Sequence, residues 1–161
     1  CQKLYEINKG EFTFHGIDIF EDTNDKIDTQ EMTAKHNRIS NPFKHLIFNI
    51  ILKKDLFSKE SIYTFLKKFK HKVHLYKGFS DTELPKIDMT NIDMIFLDGG
   101  HSYETVKSDI SIILRGIKKG KIIICDDYDQ VNYGVKKAVD EFKNQVSEIK
   151  ELNKRLVRIV A

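Results

Sequence analysis

Ile92-Asp93-Met94-Ile95-Phe96-Leu97-Asp98 runs into Gly99-Gly100-His101, and Ile122-Ile123-Ile124-Cys125 runs into Asp126-Asp127. Each is a short apolar run bounded by turn residues, as a strand requires, and a helix-length stretch lies between them. Strand, helix, strand in that order makes the two strands parallel, with their carboxyl ends at one edge of a sheet. Asp98, Asp126 and Asp127 are therefore expected to meet in the crevice where open α/β sheets bind ligands. Three carboxylates in one crevice repel one another. They need a cation, a ligand hydroxyl or a proton.

Outward from this unit the alternation continues. Val106, Ile110, Ile113, Leu114 and Ile117 share one face of the intervening helix, 102–118, which Gly120 closes. Upstream, residues 1–9 end a helix at Gly10, and Phe12 to Ile17 reads as a strand ending at Asp18. Ser58 caps a helix whose inner stripe is Ile62, Phe65, Leu66 and Phe69, and Val73 to Tyr76 is a further strand. Gly78-Phe79-Ser80 turns into a brief helix with a Ser80–Glu83 capping box. Downstream, a helix is expected over 132–146 on Val135, Ala138, Val139 and Phe142. A terminal antiparallel hairpin then follows around Asn153-Lys154.

Residues 21–42 are polar and weakly patterned. From Phe43 the spacing turns helical, with Phe43, Leu46, Ile47, Ile50 and Ile51 on one face and Phe48 and Leu52 off it. A helix apolar on more than one face is either covered on two sides or presents a greasy surface to a ligand or partner. Residues 21–56 are read as a lid-like insertion in a single domain, 1–161, whose apolar helix, Phe43–Leu52, either covers substrate or makes a homodimer contact through 43–52.

The 161 residues suffice for one domain with a sizeable core, and 40% hydrophobic with 32% charged content is ordinary for a globular protein. A net charge of +3, with lysines and acids mixed and no aromatic–basic interleaving, argues against a nucleic-acid partner. No apolar run approaches the roughly 18 residues of a membrane span. Cys1 and Cys125 offer neither a disulfide framework nor a thiolate metal site, which fits a reducing, cytoplasmic location.

Phe96-Leu97-Asp98-Gly99-Gly100-His101-Ser102-Tyr103-Glu104-Thr105-Val106-Lys107-Ser108-Asp109 resembles the "DGDHSYEGVKxDL" segment of small class I S-adenosylmethionine-dependent methyltransferases. Asp126-Asp127-Tyr128-Asp129 with Gly134-Val135-Lys136-Lys137-Ala138-Val139-Asp140-Glu141-Phe142 resembles their "DDY…GVKKAVDEF" segment. The 78–85 stretch is similar to their "GFFxDTLP" turn. Macrocin-type O-methyltransferases are close relatives of this group. The resemblance implies a Rossmann-like, doubly wound α/β sheet with a C-terminal antiparallel hairpin, and methyl transfer to an oxygen of a small molecule or sugar. It assigns Asp18 to the ribose hydroxyls of S-adenosylmethionine, Gly78, Phe79 and Ser80 to its adenine, and counts Asp98 among the residues that bind this cofactor. It assigns Asp98, Asp126 and Asp127 to Mg²⁺, as in the metal-dependent members. His101 is the candidate general base, with Asp98 beside it. The alternative role for His101 is to orient its loop or cap the helix at Ser102.

Two departures stand out. Relatives often carry an acid where this chain has Gly100, and they place a strand and a Gly-rich turn before the first helix. This chain contains neither, so its first strand is expected to be missing and the domain N-terminally incomplete. Two alternatives remain: a catalytically degenerate nucleotide-binding or scaffold domain, and a nicotinamide-dependent oxidoreductase. The latter would need a G-x-G-x-x-G turn that is not here.

Overall fold

A computed structural model describes residues 2–20, 59–69, 72–129 and 134–161. The expected lid (21–56) and the apolar helix Phe43–Leu52 lie outside the described residues, lid residues 21–56 entirely. The chain divides into two compact units, residues 1–79 and 80–161.

In the first unit, α1 (Gln2–Ile7) closes at Gly10, whose φ of 88° suits glycine and whose N–H donates to the Tyr5 carbonyl at 2.8 Å. Strand β1 (Phe14–Asp18) then pairs in parallel with β2 (Val73–Lys77), from Phe14 opposite Val73 to Asp18 opposite Lys77. Helix α2 (Lys59–Phe65) and a 3-10 turn, Lys67–Phe69, lead into β2. Phe20, Phe69, Val73 and Leu75 form the core, with Phe12, Phe14, Ile62, Tyr63 and Leu66 packed around it.

The inner stripe of α2 differs from the periodic reading at one position. Phe65 is 87% exposed, and Tyr63 packs on the core instead. The Tyr63 hydroxyl also accepts the Leu75 N–H at 3.1 Å, an anchor that phenylalanine could not provide. Tight winding after Phe65 carries Leu66 and Phe69 back to the core.

In the second unit, α3 (Ser80–Glu83) gives way to a 3-10 turn at Pro85. Ser80 is the first helical residue, and Glu83 bonds Lys86 Nζ at 2.6 Å. Strands β3 (Met94–Leu97) and β4 (Ile122–Cys125) are parallel, and α4 (Tyr103–Gly116) connects them. The Ser102 hydroxyl caps α4 by accepting the Thr105 N–H at 3.1 Å. Helix α5 (Val135–Asp140) follows, and the hairpin β5 (Glu148–Glu151) and β6 (Val157–Val160) completes a sheet in the order β3-β4-β6-β5. Its core joins Ile110 and Ile113 of α4 to Ile123 and Cys125 of β4, Val139 of α5, and Val157 and Ile159 of β6.

The α/β class and the closing antiparallel hairpin are as expected. The described strands fall into a parallel pair and a four-stranded mixed sheet. The helix read over 132–146 is shorter. Beyond Asp140 the backbone tightens, with Phe142 N–H on the Val139 carbonyl at 3.0 Å and Gln145 N–H on that of Phe142 at 2.8 Å. Phe142 remains buried, so its hydrophobic spacing survives without the helix. On α4, Asp109 is buried on the inner face while Leu114 is half-buried.

Candidate active site

The parallel register of β3 and β4, ending at Leu97 opposite Cys125, delivers Asp98 and Asp126-Asp127 to one sheet edge. The Asp126 N–H donates to the Leu97 carbonyl at 2.9 Å and extends the ladder one step beyond the strands. The chain then turns sharply at Asp127, whose φ of 51° is uncommon for a residue with a side chain and best tolerated by Asp and Asn. A 2.8 Å bond from the Asp127 N–H to Asp126 Oδ1 holds that turn. Below it, buried Tyr128 donates its N–H to the Arg155 carbonyl, and its hydroxyl meets Asp140 at 3.1 Å and Lys136 Nζ at 2.9 Å.

His101 comes from the loop that opens α4. Its Nε2 lies 3.0 Å from Asp127 Oδ2. One ligand-capable atom each from Asp98, His101 and Asp127 lies within 4.8 Å of the others. Asp126 is engaged differently. Arg155 grips it as a fork, Nε on Oδ1 at 3.0 Å and Nη2 on Oδ2 at 2.6 Å, and reaches Asp127 Oδ1 at 3.4 Å. Of the acids read as a set from the sequence, Asp98 and Asp127 gather with His101, while Asp126 is committed to Arg155.

The charges respond to this layout. Loss of hydration, then the neighbouring Asp126 and Asp127, push the Asp98 carboxyl above the usual aspartate range. Burial alone would push Asp126 the same way. The Arg155 hydrogen bonds, the Asp127 N–H and the Arg155 charge outweigh it and hold Asp126 below that range. A cavity of about 20 Å³, room for one water, backs onto the edge between Asp98, Gly100, His101, Asp109, Cys125 and Asp126.

Gly134 ties the start of α5 to the His101 loop. Its N–H donates to the His101 carbonyl at 2.9 Å, and a Cβ there would fall 2.2 Å from the Tyr103 nitrogen. Two distant loops thus touch backbone to backbone directly beside His101.

In the first unit, Asp18 stands at the end of β1 and its carbonyl accepts the Gly78 N–H at 3.0 Å. One carboxylate oxygen accepts the Phe20 N–H at 2.6 Å, so Asp18 caps its own turn. Phe79 is 54% exposed beside this strand end, and Ser80 opens α3 in the second unit. Parallel pairing of β1 with β2 is what brings Asp18 and Gly78 together.

Sequence reading missed Arg155 and Asp109. For Arg155 a signal existed in the hairpin. Cys125 lies opposite Val157, and continuing that antiparallel register by two residues sets Arg155 opposite Asp127.

An α/β fold with carboxylates at the strand ends and a closing antiparallel hairpin is the class I methyltransferase fold. Solved structures agree: the O-methyltransferase NovP superposes with a TM-score of 0.64 at 16% identity, over 98% of this chain and 63% of that one. The apo structure of CalS11, a TDP-rhamnose 3'-O-methyltransferase of calicheamicin biosynthesis, gives 0.54 at 17% identity, over 92% and 58%. The chain thus spans about six-tenths of the length of either structure. A family model described as a methyltransferase domain matches residues 3–128, and the chain belongs to that family. No curated protein matches it. Among the described residues no helix is long and apolar enough to cross a membrane.

Proposed function

We propose that the protein transfers a methyl group from S-adenosylmethionine to a hydroxyl oxygen of a small molecule or a sugar. Family membership supports the donor and speaks against the nicotinamide alternative. The observation that carries the reaction type is the His101–Asp127 pair beside Asp98. Its fold likeness to a TDP-rhamnose 3'-O-methyltransferase makes a sugar hydroxyl the first acceptor class to try.

S-adenosylmethionine supplies an electrophilic methyl on a sulfonium, so the chain must deliver an acceptor oxygen that is deprotonated and aligned. His101 takes the hydroxyl proton. Asp127 holds the imidazole in orientation and stabilises the imidazolium that forms. This assigns the role of the acid missing at Gly100 to the histidine one residue later. Asp18 receives the ribose hydroxyls on carboxylate capacity left after its bond to Phe20, while Gly78, Phe79 and Ser80 receive the adenine.

The carboxylates of Asp98 and Asp127 fit a divalent cation, which takes oxygen ligands, with Asp126 next to them in the grip of Arg155 and His101 beside them keeping the role of base. Such a cation lowers the pKa of a coordinated hydroxyl. Calorimetry of the purified protein with S-adenosylhomocysteine tests the reading. Binding is expected, and no heat with or without Mg²⁺ overturns it.

A further inference from the structure

Arg155 belongs to the hairpin turn, not to any element that carries the acids. Its backbone is nevertheless tied to the acid loop. The Arg155 carbonyl accepts the Tyr128 N–H at 2.8 Å, and the Lys154 carbonyl accepts the Asp129 N–H at 3.3 Å. Asn153 Oδ1 takes the N–H groups of both Arg155 and Leu156, at 2.8 and 3.0 Å, and so fixes the turn from inside. The guanidinium is therefore aimed before it binds. It meets Asp126 with two parallel N–H···O bonds and lies 3.4 Å from Asp127, although its side chain is 60% exposed. Fork-to-carboxylate pairing of this kind is the strong, geometrically selective form of an ion pair.

We infer that Arg155 is the built-in counter-ion of this acidic edge, and that it competes with a divalent cation for it. The inference rests on the cation reading given above. A guanidinium at Asp127 Oδ1 sets a fixed positive charge beside the Asp98–His101–Asp127 group, and it withdraws both oxygens of Asp126. A divalent ion approaching that group is repelled by Arg155 and finds one carboxylate fewer. Arg155 is thus a positioning residue: it holds the acid loop in shape before a cation arrives and sets how tightly one is held. The exposure of its side chain lets it swing out without opening the core.

The probe is Mn²⁺ alone, titrated into the protein and followed by the electron paramagnetic resonance of the unbound ion. Arg155→Gln removes the competing charge and is expected to tighten Mn²⁺ binding about tenfold, the size of effect a neighbouring full charge has on an ionisable group. Arg155→Lys keeps the charge but loses the fork, and its affinity is expected between the two. Equal Mn²⁺ affinity in wild type and Arg155→Gln, or weaker binding in the variant, overturns the competition while leaving the cation reading intact. No Mn²⁺ binding by either protein overturns both. Should Arg155→Gln fail to fold, the wild-type Arg155 Nε–H resonance decides. Competition predicts that Mg²⁺ shifts it along the binding curve, and an unmoved resonance at saturation overturns it.

Discussion

His101 Nε2 and Asp127 Oδ2 lie 3.0 Å apart across two loops separated by the whole of α4 and β4. Asp127 reaches that position through a left-handed backbone turn braced by Asp126, and His101 reaches it through the cap of α4, where Gly134 seals the loop. Backbone strain of this kind, costing on the order of 1–3 kcal/mol, persists where the surroundings over-determine it, and it concentrates at functional sites.

If this pair moves the acceptor proton, His101→Asn lowers kcat about a hundredfold or more, the usual share of a general base. Asp127→Asn lowers it less, and the double variant falls little below His101→Asn because the two act as one unit. Steady-state kinetics with a sugar acceptor checks this. Fully multiplicative losses would separate the two residues and reject the pairing.

Gly134→Ala is expected to destabilise the fold by about 1–3 kcal/mol, because the new Cβ overlaps backbone atoms that cannot rotate away. The obstacles are Tyr103 N at 2.2 Å and Tyr103 Cα at 2.5 Å, and Gly134 keeps an ordinary negative φ, so crowding rather than strain is the cause. Urea unfolding followed by circular dichroism reads the loss. An unchanged midpoint would mean that the loops part at little cost.

Cys125 is 1% exposed, and burial, with the Asp109 charge adding to it, pushes its thiol up to about 12. At neutral to mildly alkaline pH the thiolate fraction is negligible, so iodoacetamide is expected to spare Cys125 in the folded protein and alkylate it in urea. Peptide mass spectrometry distinguishes the two states.

His15, paired with the Tyr76 hydroxyl at 3.0 Å, is held below the ordinary histidine pKa of 6.5 by burial and then by His74. The folded state therefore binds the proton less readily than the unfolded chain. This contribution is neutral above 6.5 and costs stability as pH falls through 6.5 toward the lowered folded value. NMR titration should find the His15 midpoint below 6.5 and shifted upward in His74→Gln. A midpoint at or above 6.5 in wild type would contradict the assignment.

Much of the architecture was legible because apolar runs and their breakers are local signals. Ile122 to Cys125, Gly120 and the Asn153-Lys154 turn each declare themselves within a few residues. The same locality explains the errors. Phe65 has the right spacing for an inner stripe, yet winding after it and the Tyr63 hydroxyl decide who packs. Phe142 keeps helical spacing although the helix ends at Asp140.

The sequence by itself determined the strand order of the acid-bearing unit, the delivery of Asp98, Asp126 and Asp127 to one edge, and the candidacy of His101. Tertiary structure decided how those charges are shared. Asp126 went to Arg155 through the antiparallel register of β4 with β6, and Asp127 went to His101 through a turn with φ of 51°. Periodicity reports which face a residue lies on. Which cation a carboxylate meets depends on register and loop closure across a sheet, and those are fixed only when the strands pair.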